Sequence, residues 1–205
     1  MTVFVYILLC LIWGSTWKAI QLGLADAPPL WSAAIRFWLA IVILFVILKV
    51  RRLKLPTSLR ELWLHGVPGF LMYGVSYACV YTAERFISSS LTAVLFACFP
   101  ALVALMSHLL LPGDKLRGLG WAGLALGLAG VVVVSWESLE ASGSLFLGSL
   151  LAVGAPLASA TGVVLYKRNL AKTDIVVSAT TQMLFGGAFL TLGALLSEPI
   201  SGFVW

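Results

Sequence analysis

The sequence is poor in charge. Of its 205 residues only 10% are Asp, Glu, Lys or Arg, and Asp and Glu together number 8. A soluble domain of this size covers its surface with far more charge, so a water-soluble globule is excluded. Cysteine occurs three times and histidine twice. Cys10, Cys79 and Cys98 lie singly inside apolar stretches, with no metal-like spacing, and read as small packing residues. His65 and His108 sit near the ends of such stretches and read as interfacial or packing residues. There is no Gly-x-Ser-x-Gly, no His-Glu-x-x-His and no Walker loop. These absences argue against an enzyme and against ATP-driven work. No metal and no cofactor is expected.

What the chain has instead is apolar residues, 61% of the total, with a mean hydropathy of +1.05. They come in continuous blocks of about twenty, the length that crosses a hydrocarbon core of ~30 Å at ~1.5 Å per residue. Every backbone polar group in lipid must pair within its own element, and continuous rather than alternating blocks mean helices, not a barrel. The pattern predicts an all-α membrane protein of about seven transmembrane helices, at roughly 2–22, 30–49, 62–83, 88–111, 118–136, 145–167 and 175–196. Turn and interface residues fill the breaks, among them Pro28-Pro29, Arg51 to Ser58, Glu84-Arg85, Pro112 to Lys115, and Glu137 to Ser144. The first block is too long, and too polar at its end, to read as a leader.

Charge orients the helices. One set of alternate loops holds Lys49, Arg51, Arg52, Lys54, Arg60, Lys115, Arg117, Lys167, Arg168 and Lys172. The opposite set holds Asp26, Glu84, Glu137, Glu140 and Glu198, with Arg85 as its only clear base. The positive-inside rule makes the first set cytoplasmic, with the N-terminus inside and Trp205 outside. The net charge of +5 therefore sets topology, and the partner it implies is a lipid bilayer, not nucleic acid.

A shift of 146 residues lays Ser159-Ala160-Thr161 on Trp13-Gly14-Ser15 and Ser178-Ala179 on Ser32-Ala33. The sixth helix thus matches the first and the seventh matches the second. The offset is an odd number of helices, so the second copy starts on the opposite side of the membrane. Inverted repeats of this kind are common in secondary transporters. The expected division is a complete five-helix repeat at 1–136, an external loop at 137–144, and the first two helices of a second repeat at 145–205. Three helices are missing from a symmetric design, which suggests a truncated chain.

Several strings resemble the drug/metabolite transporter superfamily, in particular its EamA-type members. They are Ile12-Trp13-Gly14-Ser15-Thr16, Ala34-Ile35-Arg36-Phe37, Ile87-Ser88-Ser89-Ser90-Leu91, Phe99-Pro100, Leu111 to Leu116, and Gly127 to Val131. Their order and spacing carry the resemblance. Asp114, where Glu is usual, and Pro156 in a sixth helix without the tryptophan often seen there, depart from the pattern. The resemblance implies ten helices in two inverted halves and transport of a small-molecule solute.

Polar groups at membrane depth face the protein interior or a water-filled cavity. Gly69, Tyr73, Ser76 and Tyr77 recur along one helical stripe. Trp13, Ser15 and Thr16 reach the same depth, and the resemblance makes their stretch a cavity wall. Phe99 with Pro100, and Ser159 with Thr161 near Pro156, complete four segments at one level. Trp13, Ser15, Thr16, Tyr73, Ser76, Tyr77, Phe99, Ser159 and Thr161 are the substrate-cavity candidates. Packing between helices is the competing role for each. Arg36 either snorkels toward Asp26 or Glu84 or holds an anion. Gly120, Gly123, Gly127 and Gly130 share a face suited to helix packing, within the fold or in a homodimer. The leading reading is a multi-pass secondary transporter that exports metabolites or amino-acid-like solutes across a prokaryotic inner membrane. The rival is a non-transporting membrane fragment with a structural or regulatory role. Substrate, coupling ion and oligomeric state are not legible in the residues.

Overall fold

The computed structural model describes residues 2–140 and 143–199, without the side chains of 2, 135 and 137–140. The expected external positions Ser142 and Trp205 lie outside the described residues, as do the side chains of Glu137 and Glu140. The described helices are α1 (Thr2–Gly23), α2 (Pro29–Val50), α3 (Leu59–Gly69), a π-helical segment (Phe70–Val75), α4 (Ser76–Ala83), α5 (Ser89–Phe96), α6 (Phe99–Leu110), α7 (Gly118–Glu140), α8 (Ser144–Leu170) and α9 (Ile175–Ser197). Two groups of these run on without a loop. α3, the π segment and α4 form one rod, and α5 and α6 form another, so the described residues make the seven rods that the apolar blocks imply. Five rods are long and apolar enough on their own to cross a membrane, and α7 holds a shorter apolar helix, Gly118–Val134. The chain is a multi-pass helical membrane protein.

Local chemistry sets the rod ends. Ser58, Ser88 and Asp174 accept from the backbone N–H groups of Glu61, Leu91 and Val176, the capping that frees a helix start from the preceding loop. Pro29 opens α2, where a missing N–H costs nothing. Three boundaries differ from expectation, and the first is the start of α3 at Leu59 instead of 62. α7 runs on to Glu140, so the expected loop at 137–144 is shorter, and α8 continues to Leu170. No turn residue interrupts the chain before Ala141, and hydrogen bonding carries the helix past the end of the apolar block. Pro156 lies inside α8 without ending it.

α8 and α9 form the centre. Their small residues let neighbouring backbones come close. Gly162 of α8 lies under Met72 and the Pro68 carbonyl, and Gly148 lies under Phe86 and Ile87. Gly186 of α9 faces the Tyr73 backbone, and Gly69 faces the Gln182 backbone. α2 lies antiparallel to α9. Arg51 Nη2 pairs with Asp174 Oδ2 at 2.9 Å at one end, and the Glu198 carboxylate accepts from the Leu30 and Trp31 N–H groups at the other. Of the five long apolar helices α1 is the least enclosed, with 6% of its apolar window buried.

Candidate functional site

The third rod places most of the candidate residues. Pro68 has no N–H to give, and the π turn that follows, Phe70–Val75, carries one more residue than an α turn. Insertions of this kind often mark functional sites. Tyr73 sits within the π segment, and Tyr77 and Tyr81 follow one turn apart on α4. Ring centroids are 6.5 Å apart for Tyr73 and Tyr77 and 6.4 Å for Tyr77 and Tyr81. Phe37 of α2 meets Tyr77 edge-on at 4.6 Å and Tyr73 at 5.6 Å. These are favoured aromatic geometries.

Arg36 joins this group. Its guanidinium carbon lies 5.9 Å from the centre of the Tyr77 ring, a cation–π placement. The alternative partners suggested by sequence, Asp26 and Glu84, are not paired with it. Among the described residues the ion pairs are Arg51–Asp174 and Lys167–Asp114.

Two of the candidate hydroxyls meet directly. Ser159 Oγ of α8 donates to Ser76 Oγ of α4 at 2.8 Å, and both residues are buried. Their contact lies between the tyrosine ladder and Pro156. On the fourth rod the chain breaks at Ala97 and Cys98, and Pro100 enters the first turn of α6. Phe99 stacks on Phe96 across that break at 5.7 Å, and Phe96 meets Trp17 of α1 at 5.3 Å.

The remaining candidates stand apart from this cluster. Trp13 is 70% exposed on α1. Ser15 donates to the Leu11 carbonyl, Thr16 to Ile12 and Thr161 to Leu157, each one turn back on its own helix. Such back-bonding satisfies a hydroxyl without a neighbour. The glycine face of α7 is not used for packing within the described chain. A Cβ at Gly123, Gly127 or Gly130 would meet nothing within 4 Å, and one at Gly120 would meet only Leu116. Small side chains permit close approach but do not supply the partner. His108 is held by packing, edge-on to Trp121 at 5.3 Å, with Nδ1 accepting from the Leu116 N–H.

The structure adds Phe37, Tyr81, Phe96 and Trp17, which sequence reasoning passed over. Tyr81 continues the four-residue spacing of Tyr73 and Tyr77, so extending the stripe one turn finds it. Phe37, Phe96 and Trp17 carry no such signal, because an aromatic residue in an apolar block reads equally well as lipid-facing. Just past the end of α4, Glu84 is 6% exposed, and neither carboxylate oxygen has a hydrogen-bond partner among the described residues. Burial pushes its carboxyl up to about 7, because the charged form loses hydration there.

The comparisons bear on this arrangement. The model of the EamA-like transporter family matches residues 1–136. The chain is 29% identical over 197 residues to "Uncharacterized transporter YoaV" of Bacillus subtilis (strain 168), covering 95% of this chain and 67% of that protein. It is 32% identical over 190 residues to "Uncharacterized inner membrane transporter YedA" of Escherichia coli (strain K12), covering 92% of this chain and 60% of that one. Over 162 residues it is 30% identical to "Probable amino-acid metabolite efflux pump" of Escherichia coli (strain K12), covering 79% of this chain and 52% of that protein. A protein of known crystal structure matches with a TM-score of 0.64 at 25% identity, over 92% of this chain and 68% of its own. The chain thus spans about 60–67% of the length of YedA and YoaV. With the family match covering the first five rods and these relatives extending it along nearly the whole chain, the protein belongs to the EamA-like transporter family.

Proposed function

We propose that this chain works in a secondary transporter that exports small, amino-acid-like metabolites across the cytoplasmic membrane by alternating access. The observation that carries the reading is the coincidence of two helix interruptions with the polar and aromatic cluster. The third rod turns π-helical around Tyr73, the fourth breaks beside Phe99, and Ser76 and Ser159 join between them. Discontinuous helices at mid-membrane leave backbone groups free for a solute, and such sites lie where inverted repeats meet. The repeat at 1–136 and its inverted counterpart from 145 supply that meeting. The Tyr73–Tyr77–Tyr81 face gives flat apolar contact and hydroxyl donors, and Arg36 beside it suits a carboxylate. The name of the relative "Probable amino-acid metabolite efflux pump" supports the solute class and direction. The basic loops support a cytoplasmic N-terminus. Glycine packing on α7 belongs to contacts with another helix, including that of a second copy.

The test is single-cysteine labelling in a background lacking Cys10, Cys79 and Cys98. Tyr77→Cys and Phe99→Cys are expected to react with a small membrane-impermeant thiol reagent and to be protected by an amino-acid substrate. Leu44→Cys is expected to stay inert. Equal inertness at all three positions would mean that these aromatic residues only pack.

A further inference from the structure

A buried carboxyl lies past the last tyrosine of the ladder, at the end of the bundle opposite the basic loops. α4 ends at Ala83, and Glu84 caps it. The Phe86 and Ile87 N–H groups both donate to the Ala83 carbonyl, at 2.9 and 3.0 Å, which winds the chain into a tight turn before α5. That turn sits directly on the first part of α8. A Cβ at Gly148 would meet Phe86 Cβ at 2.8 Å, Ile87 Cγ2 at 3.0 Å and the Ala83 carbonyl oxygen at 3.4 Å. Contacts this close leave no layer of water between turn and helix. Ala83, Ile87, Leu95 and Ala152 form one apolar cluster across the same seam.

The closed seam offers a charge nothing. Both Glu84 carboxylate oxygens are buried and without a hydrogen-bond partner among the described residues. Ser149, next to Gly148, is 2% exposed, and its Oγ is also buried and unpartnered, so it does not donate to the carboxylate. Neither ion pair among the described residues involves Glu84. The elements around it bring little charge of their own. α8 has no titratable residue between Ser144 and Leu165, α5 and α6 have only Cys98 between Ser89 and Ser107, and α7 has none between Gly118 and Trp136. Past Trp136, the side chains of Glu137 and Glu140 lie outside the described residues. Within α2 the base is Arg36, which lies over the Tyr77 ring, and on α1 Lys18 donates to Gln21. Asp26 lies in the α1–α2 loop, and Glu198 is engaged by the Leu30 and Trp31 N–H groups. On its own rod Tyr77 and Tyr81 precede Glu84, and the exposed Arg85 follows it. Burial is thus the cause that raises its carboxyl from 4.5 to about 7.

A carboxylate needs water or a donor, and neither reaches these oxygens while the seam is closed. Ionisation and opening are therefore one event. We propose that Glu84 is a pH-operated latch: its neutral form lets the turn after α4 close on α8, and its ionised form holds that turn open. The movement reaches a cavity. Arg85, the next residue, lines a space of about 410 Å³ with Leu24, Pro28 and Glu198. A turn that lifts off α8 carries this wall with it, so the cavity at this end of the bundle changes shape with pH. The device is local, because the Ser159–Ser76 hydrogen bond still joins α8 to α4 further along. It does not depend on which solute is carried, and its failure leaves the transport reading standing.

The experiment times the reaction of a buried thiol with iodoacetamide, using the whole chain in lipid nanodiscs. In a background lacking Cys10, Cys79 and Cys98, two probes are made: Ile87→Cys, 5% exposed in the seam, and Val164→Cys, 0% exposed further along α8. Each is combined with Glu84 and with Glu84→Gln. The ratio of the two rates at one pH cancels the titration of the thiol itself. At Ile87→Cys the ratio is expected to rise about tenfold per pH unit between about pH 5 and about pH 7, the slope of one proton, and then to level off. At Val164→Cys it is expected to stay flat. In the chain with its own cysteines, hydrogen exchange at the Phe86 and Ile87 amides is expected to show the same dependence on Glu84. A flat ratio at Ile87→Cys with unchanged amide exchange would overturn the latch. So would an equal rise at Val164→Cys, which means general loosening instead of a local opening.

Discussion

Gly186→Ala tests how tightly the third rod is held against α9. A Cβ added at Gly186 would sit 2.8 Å from the Tyr73 carbonyl carbon and 3.0 Å from the Gly74 nitrogen. Both are backbone atoms, so no side-chain rotation relieves them, and the two rods must separate. Ordinary contacts begin near 3.4 Å, so the separation needed is about half an ångström to one. Forcing an extra methyl into a packed interior costs about 1–3 kcal/mol. Replacing Gly by Ala in a helix returns up to about 1 kcal/mol of propensity. With the full propensity gain set against it, the net expectation is a loss of up to about 2 kcal/mol. Gly123→Ala on α7 is the matched control, since its new Cβ would meet nothing within 4 Å. It keeps the propensity gain and pays no steric cost, so it should be neutral or stabilised by up to ~1 kcal/mol. Reversible unfolding in mixed dodecylmaltoside and SDS micelles measures both on one scale. If Gly186→Ala matches Gly123→Ala in sign and size, the close crossing at Tyr73 does not constrain the fold.

Three further outcomes are expected. The Glu84 carboxyl is raised to about 7, so its folded form holds a proton that the unfolded chain releases nearer 4.5. Its contribution to stability is full below pH 4.5 and is lost as pH rises through about 7, and Glu84→Gln should flatten the pH profile of unfolding across that window. Ser159→Ala leaves the buried Ser76 hydroxyl without its 2.8 Å partner and should cost about 1–2 kcal/mol, whereas the Ser76→Ala/Ser159→Ala double variant should recover part of that in the same micelle assay. Reporter fusions at Ala171 and at Ala27 should read as cytoplasmic and external respectively, and reversed signals at both would overturn the orientation drawn from the basic loops.

The rods were legible because a membrane helix announces itself by composition. An unbroken apolar block of about twenty residues leaves few alternatives. The interruptions inside the rods were not legible to the same degree. One extra residue over Phe70–Val75 hardly disturbs a periodic pattern, and Pro68 marks a weak point without saying which kind of turn follows. Pro100 and Pro156 look alike in sequence, yet the chain breaks beside the first and runs straight past the second. Ser76 and Ser159 stand out separately as polar groups at membrane depth. That they face each other depends on how α4 packs on α8, which no local pattern encodes. Trp13 shows the converse. Its depth follows from counting residues, but the direction its ring points depends on which neighbours α1 has.

The fastening of α2 to α9 has a mechanical consequence. The pair is pinned at Arg51–Asp174, again at mid-length where the Trp38 indole donates to Thr191 at 2.9 Å, and once more where Glu198 grips the first N–H groups of α2. Two struts tied at three stations bend and turn together, so little sliding between them is available to a working cycle. Displacement between rods is left to those with fewer ties, and of the five long apolar helices α1 is the least enclosed.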